Sequence, residues 1–201
     1  MDRSEKWEKL MKESIVDGVV AVLTKEGSEG LTMKRVAEEA GVAKGTLYAY
    51  FDNKAELLEA AVQSSLDPLG EQLDEILASD LDPEGRLRGI VERHLSFFDE
   101  NRDVFRVLLY ERQKVQGKWA RYRTSRYRRF VEHVANIITE GIADGTFRRL
   151  DPPKTAAMLV EACISTINRR LFRDDPGPVT DDAALVLSIF LHGIRADSET
   201  G

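Results

Sequence analysis

The stretch LTMKRVAEEAGVAKGTLYAYFDNK, residues 31–54, decides the fold. Thr32 stands before Met33–Ala40 as an N-cap hydroxyl, so a helix of about two turns should begin there. Gly41 can end that helix in the left-handed conformation. A turn of about three to four residues containing this glycine then leads to a second short helix, starting near Ala43 or Lys44. That is the spacing of a helix-turn-helix, whose second helix lies in the major groove of DNA. A short helix this rich in aromatic, hydroxyl and basic side chains suits such a groove.

On either side the apolar spacing is helical nearly everywhere, with no sustained alternation of the kind a half-buried strand shows. Upstream, Trp7, Leu10, Met11, Ile15, Val19, Val22 and Leu23 define a first helix whose stripe should face a core, ended by Gly27 and Gly30. Downstream, Asn53 and Glu56 read as a capping pair for a long fourth helix carrying Leu57 through Leu77. Pro68 falls inside it and predicts a kink or break near Leu66 to Pro68. Asp82-Pro83 and Asp151-Pro152 each place proline at the first helical position. Between them the pattern predicts a helix containing His94, a shorter one containing Phe105, and a long one from about Lys118 to Asp144. Two final helices follow, separated by the linker Arg173 to Pro178. The fold class is all-α with about nine helices. Residues 1–54 form the helix-turn-helix domain, running into the linking helix of about 54–79, and 55–201 form a C-terminal domain.

With 201 residues, 42% of them hydrophobic, the chain can build a proper core without staples. The single Cys163 excludes an intrachain disulfide framework and a cysteine zinc site, and suits a reducing cytoplasm. Residues 1–13 carry both signs of charge, and no apolar run approaches transmembrane length, so a soluble, unprocessed cytoplasmic protein with no membrane partner is expected. The net charge of −6 argues against indiscriminate adhesion to nucleic acid. Residues 1–54 hold nine Lys or Arg against ten Asp or Glu, so any DNA-binding surface must cluster its cations.

From Leu31-Thr32-Met33-Lys34-Arg35-Val36 through Leu58 the sequence resembles the N-terminal domain of the tetracycline-repressor (TetR) family. The remainder agrees in helix number, length and order. The resemblance implies a homodimeric transcriptional regulator, usually a repressor, whose C-terminal domain binds a small molecule and releases operator DNA. Thr32 can cap its helix and donate to a phosphate. Lys34 matches a family position that contacts a base or phosphate, whereas Arg35 should lie on the flank. Lys44 can reach guanine acceptors or a phosphate, Thr46 a phosphate or a thymine methyl, and Gly45 lets the backbone come close. Tyr48, Tyr50 and Lys54 match positions that contact the DNA backbone. Val42, Leu47 and Phe51 fit the buried side. Ala43 and Ala49 leave few groups to read bases, so selectivity should lean on shape.

His94 and His133 lie on helices that the resemblance expects to line an effector pocket, with Phe98, Phe105, Leu109, Phe130 and Ile137 among its walls. An apolar core holding one satisfied histidine stays open. Residues 102–129 carry ten Lys or Arg against Asp103 and Glu111, a net +8. They suit an anionic effector such as an acyl thioester of coenzyme A, or form a solvated face answering acidic residues. A homodimer is expected through the last two helices, by Leu159, Val160, Cys163, Ile164, Ile167, Leu187, Phe190 and Leu191, with two reading heads about 34 to 36 Å apart on a pseudo-palindromic operator. The three histidines lack the spacing of a ligand pair, so neither a metal nor another cofactor is expected. No phosphate loop, His-Glu-x-x-His or nucleophile elbow is present, which argues against an enzyme. The rival function is a DNA-binding accessory or architectural protein with no ligand response.

Overall fold

The computed structural model describes the backbone of residues 3–114 and 119–195, with side chains other than those of 3–5, 9, 28, 110–114 and 119–125. Nine helices span the described residues: α1 (Arg3–Gly30), α2 (Met33–Glu39), α3 (Lys44–Tyr50), α4 (Lys54–Leu77), α5 (Pro83–Glu100), α6 (Arg102–Lys114), α7 (Trp119–Ala143), α8 (Pro152–Leu171) and α9 (Val179–Ile194). The extended pairing among them is a single antiparallel bridge between Phe147 and Arg195.

The predicted caps close these helices. The Asp82 carboxylate accepts from the Gly85 N–H at 2.7 Å and the Asp151 carboxylate from the Lys154 N–H at 3.1 Å, each satisfying a donor the first helical turn leaves over. Gly27, at φ 68°, ψ −164°, kinks α1 before its last residues, so the expected stop becomes a bend with the helix ending at Gly30. Pro68 was expected to kink or break the fourth helix, and α4 is not broken there: it runs on to Leu77. Buried leucines on both sides, Leu58 before and Leu69 and Leu73 after, hold the segment helical despite the missing donor.

Contacts sort the described residues into two compact units, one running to Pro68 and adding the stretch from Asn101 to Trp119, the other holding Leu69–Glu100 and the chain from Ala120 on. The contact boundary thus falls inside α4 rather than at residue 54. In the first unit α1 packs on α2 and α6, and α2 on α3. Ile15, Val19, Val22 and Leu23 of α1 are buried, as are Val36, Leu47, Leu57, Leu58, Phe105 and Leu108 of α2, α3, α4 and α6. Each such side chain contributes about 1.5–3 kcal/mol of burial. α2 lies so close to α1 that a Cβ added at Gly18 would sit 2.9 Å from the Ala40 Cβ and 3.2 Å from the Val36 carbonyl oxygen. The start of α1 departs from its expected stripe: Trp7 is 64% exposed and Leu10 48%.

In the second unit α5 packs on α8 and α9. Leu87, Ile90, Val91 and Leu95 of α5 meet Leu159, Val160, Cys163, Ile167, Leu187 and Leu191 there, all buried. The last six are among the residues expected at the dimer surface, and within the protomer they already belong to its core. A helix in contact with a core turns its strongest apolar stripe inward, so these six side chains are enclosed within the protomer, and Ile164 and Phe190 are half-buried. The apolar side chains that face out on these helices are Met158, Leu185 and Ile189, with Phe172 just beyond α8. Burial also pushes the Cys163 thiol up to about 12, as befits a packing residue and not a reactive one.

Among the described residues, one charged side chain is buried with this core. The Arg170 guanidinium donates to Asp99 at 2.7 and 3.0 Å, to Asp182 at 2.6 Å, and to the carbonyl oxygens of Gly177 at 2.9 Å and Pro176 at 3.3 Å. It therefore ties α5, α8, α9 and the linker between the last two at a single point. Burial works against the Asp182 carboxylate, and the hydrogen bonds from Arg170 and Arg169 outweigh it and hold the acid below its ordinary value.

Candidate nucleic-acid interface

Local sequence builds the reading head in three steps. Thr32, extended at φ −125°, ψ 152°, accepts from the Arg35 N–H at 3.2 Å, a cap worth about 1 kcal/mol. Gly41 at φ 67° then turns the chain without a Cβ penalty, and α3 begins at Lys44. At its far end the Glu56 N–H donates to Asn53 Oδ1 at 3.1 Å and the Asp52 N–H to Glu56 Oε2 at 2.8 Å, which starts α4 at Lys54.

The two faces of α3 separate as the spacing predicts. Leu47 and Phe51 are buried, while Lys44, Gly45, Tyr48 and Ala49 are exposed and Thr46 and Tyr50 half-buried. Val42, just before the helix, is half-buried too. Thr32 and Lys34 are exposed on α2's side of the head, and Lys54 is half-buried at the start of α4. The Lys44 ammonium lies 5.8 Å from the centre of the Tyr48 ring, which steadies a long flexible cation beside an aromatic hydroxyl. A Cβ built on Gly45 meets nothing within 4 Å, so no contact inside the protein demands glycine there.

Arg35 and Lys34 divide labour. Arg35 donates to both oxygens of Glu26, through Nε at 3.1 and 3.2 Å, and to Glu38 at 2.8 Å. The hydrogen bond from Arg35 holds the Glu26 carboxyl below its ordinary range, so this guanidinium is committed to the fold. The ammonium of Lys34 stands 3.7 Å from Glu38 with its side chain 77% exposed, a loose pair that leaves it able to reach outward. Sequence reasoning favoured Lys34 over Arg35 but missed the Glu26 clamp, since nine residues and a helix kink separate the partners.

The residues expected at an effector pocket fall in both units. Phe105 is buried and Leu109 half-buried in the first. In the second, the His94 ring stacks on Phe130 at 4.9 Å and tilts against Phe98 at 5.4 Å, Ile137 is buried and His133 half-buried. Part of the His94 residue reaches the surface, but its Nδ1 is enclosed and has no hydrogen-bond partner among the described residues. Burial, reinforced by the charge of Arg126, pushes the imidazole down to about 4. Of the basic segment, Arg112, Lys114, Lys118, Arg121 and Arg123 lie outside the described side chains. Arg106, Arg128 and Arg129 are exposed.

The His94 shift has a sign that can be measured. Its folded value lies below the ordinary 6.5, so the unfolded chain binds the proton more readily. Its contribution to stability is complete above pH 6.5 and falls away as the pH drops from there toward about 4. Urea unfolding of the wild type and His94→Phe at pH 7.5 and pH 5 should show a smaller acid loss in the variant. Equal losses in both proteins would remove His94 from the acid response.

The chain has clear relatives. The profile of the family described as bacterial regulatory proteins, tetR family, matches residues 15–61. That of the tetracyclin repressor-like C-terminal domain matches residues 80–168. The sequence is 22% identical to the fatty acid metabolism regulator protein of Bacillus subtilis (strain 168) over 182 residues, 90% of this chain and 94% of that protein. It is 24% identical to the nucleoid occlusion factor SlmA of Klebsiella pneumoniae subsp. pneumoniae over 178 residues, 85% of this chain and 88% of the relative. The crystal structure of the transcriptional regulator FadR from Bacillus subtilis in complex with stearoyl-CoA shares the fold, with a TM-score of 0.75 at 21% identity over 91% of this chain and 99% of that one.

Proposed function

Because this chain belongs to the tetR family of bacterial regulatory proteins and is a DNA-binding transcriptional regulator, we propose that it is a repressor whose grip on DNA comes from one row of exposed and half-buried residues: Thr32, Lys34, Lys44, Gly45, Thr46, Tyr48, Tyr50 and Lys54. The observation that carries this is the split of α3, with Leu47 and Phe51 inward and Lys44, Gly45 and Tyr48 outward. Phenol and hydroxyl groups bond phosphate without adding charge, which suits a head of nearly balanced charge. Ala43 and Ala49 are exposed and bring no polar group to a base edge, so spacing and DNA shape carry much of the selectivity.

Two heads require two chains. The dimer is formed by the outward apolar side chains of α8 and α9, Met158, Ile164, Leu185, Ile189 and Phe190, over the buried stripe beneath them. The effector is an anionic molecule with a long apolar body, of the acyl-CoA class, whose polar group meets the unpartnered Nδ1 of His94 between Phe98 and Phe130, near His133 and Ile137. Stearoyl-CoA bound to the FadR relative and the +8 segment support this class.

A duplex selected by the protein from a random-sequence library tests the reading. Two chains should bind each duplex, and stearoyl-CoA should release it. Binding that stearoyl-CoA leaves unchanged would favour an accessory DNA-binding protein. Within the head, Lys54→Ala should weaken binding to all sequences alike and lower the slope of log affinity against log salt by about one. A loss confined to the selected duplex would contradict a phosphate role for Lys54.

A further inference from the structure

Trp7, Glu8 and Lys12 of α1 and Ala49 and Tyr50 at the end of α3 line an open cleft of about 400 Å3 on the first unit. Trp7 is 64% exposed there, and Leu10, one turn on, is 48% exposed. A single exposed apolar side chain needs no explanation, but this indole shares its cleft with the helix that reads DNA. The Lys12 ammonium lies 2.8 Å from the Glu8 carboxylate, so the polar rim is electrically balanced. What the cleft offers is a flat apolar ring whose one polar atom is a donor, beside a tyrosine.

We propose that this cleft is a flank of the DNA interface: the sugar-phosphate backbone leaving the end of α3 passes through it, with Trp7 packed on a deoxyribose and its indole N–H donating to a phosphate. The occupant follows from continuity. Ala49 and Tyr50 belong at once to the reading helix and to the cleft wall, so a strand laid along Tyr48 and Tyr50 runs on toward Trp7. Its chemistry also matches, since a nucleic-acid backbone alternates an apolar sugar face with phosphate acceptors. Among the described residues that line the cleft, Glu8 is the one that opposes it, and Lys12 partly cancels that charge. The proposal rests on α3 being the groove helix and adds a second element to the contact.

The chain contains two tryptophans, so Trp119→Phe leaves Trp7 as the sole indole reporter. With the library-selected duplex, its emission should shift and be quenched at saturation. Trp7→Ala should weaken binding about tenfold with no change in thermal unfolding, because the exposed ring holds no core together. Glu8→Gln should tighten binding severalfold and steepen the salt slope by about one, as Lys12 becomes available to a phosphate. If Trp7 emission and Glu8→Gln affinity stay unchanged while Lys44→Ala still weakens binding, the cleft lies off the DNA and the proposal fails with the reading helix intact. If Lys44→Ala is silent as well, the reading of α3 fails. An emission shift that follows protein concentration without duplex would assign the cleft to a second copy of the chain and overturn the proposal.

Discussion

Arg170→Ala should lower the unfolding free energy by about 3 kcal/mol, because it strands Asp99 beside a core, leaves Asp182 with Arg169 alone and frees the linker carbonyl oxygens at once. For a chain of this size that corresponds to a fall of about 6–12 °C in the melting temperature. The loss reflects leaving half-buried partners short of a donor, not the net worth of the ion pair. The triple variant Arg170→Met, Asp99→Asn, Asp182→Asn should therefore recover a large part of it. The native clasp should also be acid-sensitive in a definite direction. The Asp182 acid is held below its ordinary 3.8, so its contribution is complete above that value and lost as the pH falls through the folded one. An Arg170→Ala protein within 1 kcal/mol of wild type in urea would show that the clasp is ornamental.

Gly45→Glu should cost about a hundredfold or more in operator affinity, on the order of 3 kcal/mol, with no loss of thermal stability. The two readouts part company for a structural reason. A Cβ at this position meets nothing within 4 Å, and replacing a helical glycine is itself worth about 0.5–1 kcal/mol. Any penalty must then arise outside the protein, where a carboxylate would meet phosphate. Gly45→Ala serves as the control, with the same gain in stability and only a severalfold loss in binding. Wild-type affinity in Gly45→Glu would remove α3 from the groove.

The helices were legible because their signals are local. Thr32, Asn53, Asp82 and Asp151 announce helix starts through their own neighbours, and the spacing of Leu47 and Phe51 alone separates the two faces of α3. What was not legible depends on contacts distant in sequence. Trp7 matches the α1 stripe by period, yet the core ends before reaching it. Leu159, Val160, Cys163, Ile167, Leu187 and Leu191 are apolar enough for either an interior or a dimer contact, and nothing in their local pattern tells that α5 packs on their helices. Pro68 marked a kink or a break, and the helix runs unbroken through it between buried leucines. Arg170 carried no signal: its partners lie 71 residues upstream and 6 to 12 residues downstream, across a turn that sequence could only mark as a linker.

The missing side chain at Gly18 has a mechanical meaning. With α1 and α2 separated there by the thickness of a hydrogen atom in place of a methyl group, and Arg35 pinned to Glu26 at the other end of the same pair, the two helices have no slack between them. α3 hangs from α2 by a turn of four residues, 40–43, so it inherits that stiffness. A head built this way should resist bending internally to suit a poor site, so tolerance for operator variation would fall to deformation of the DNA.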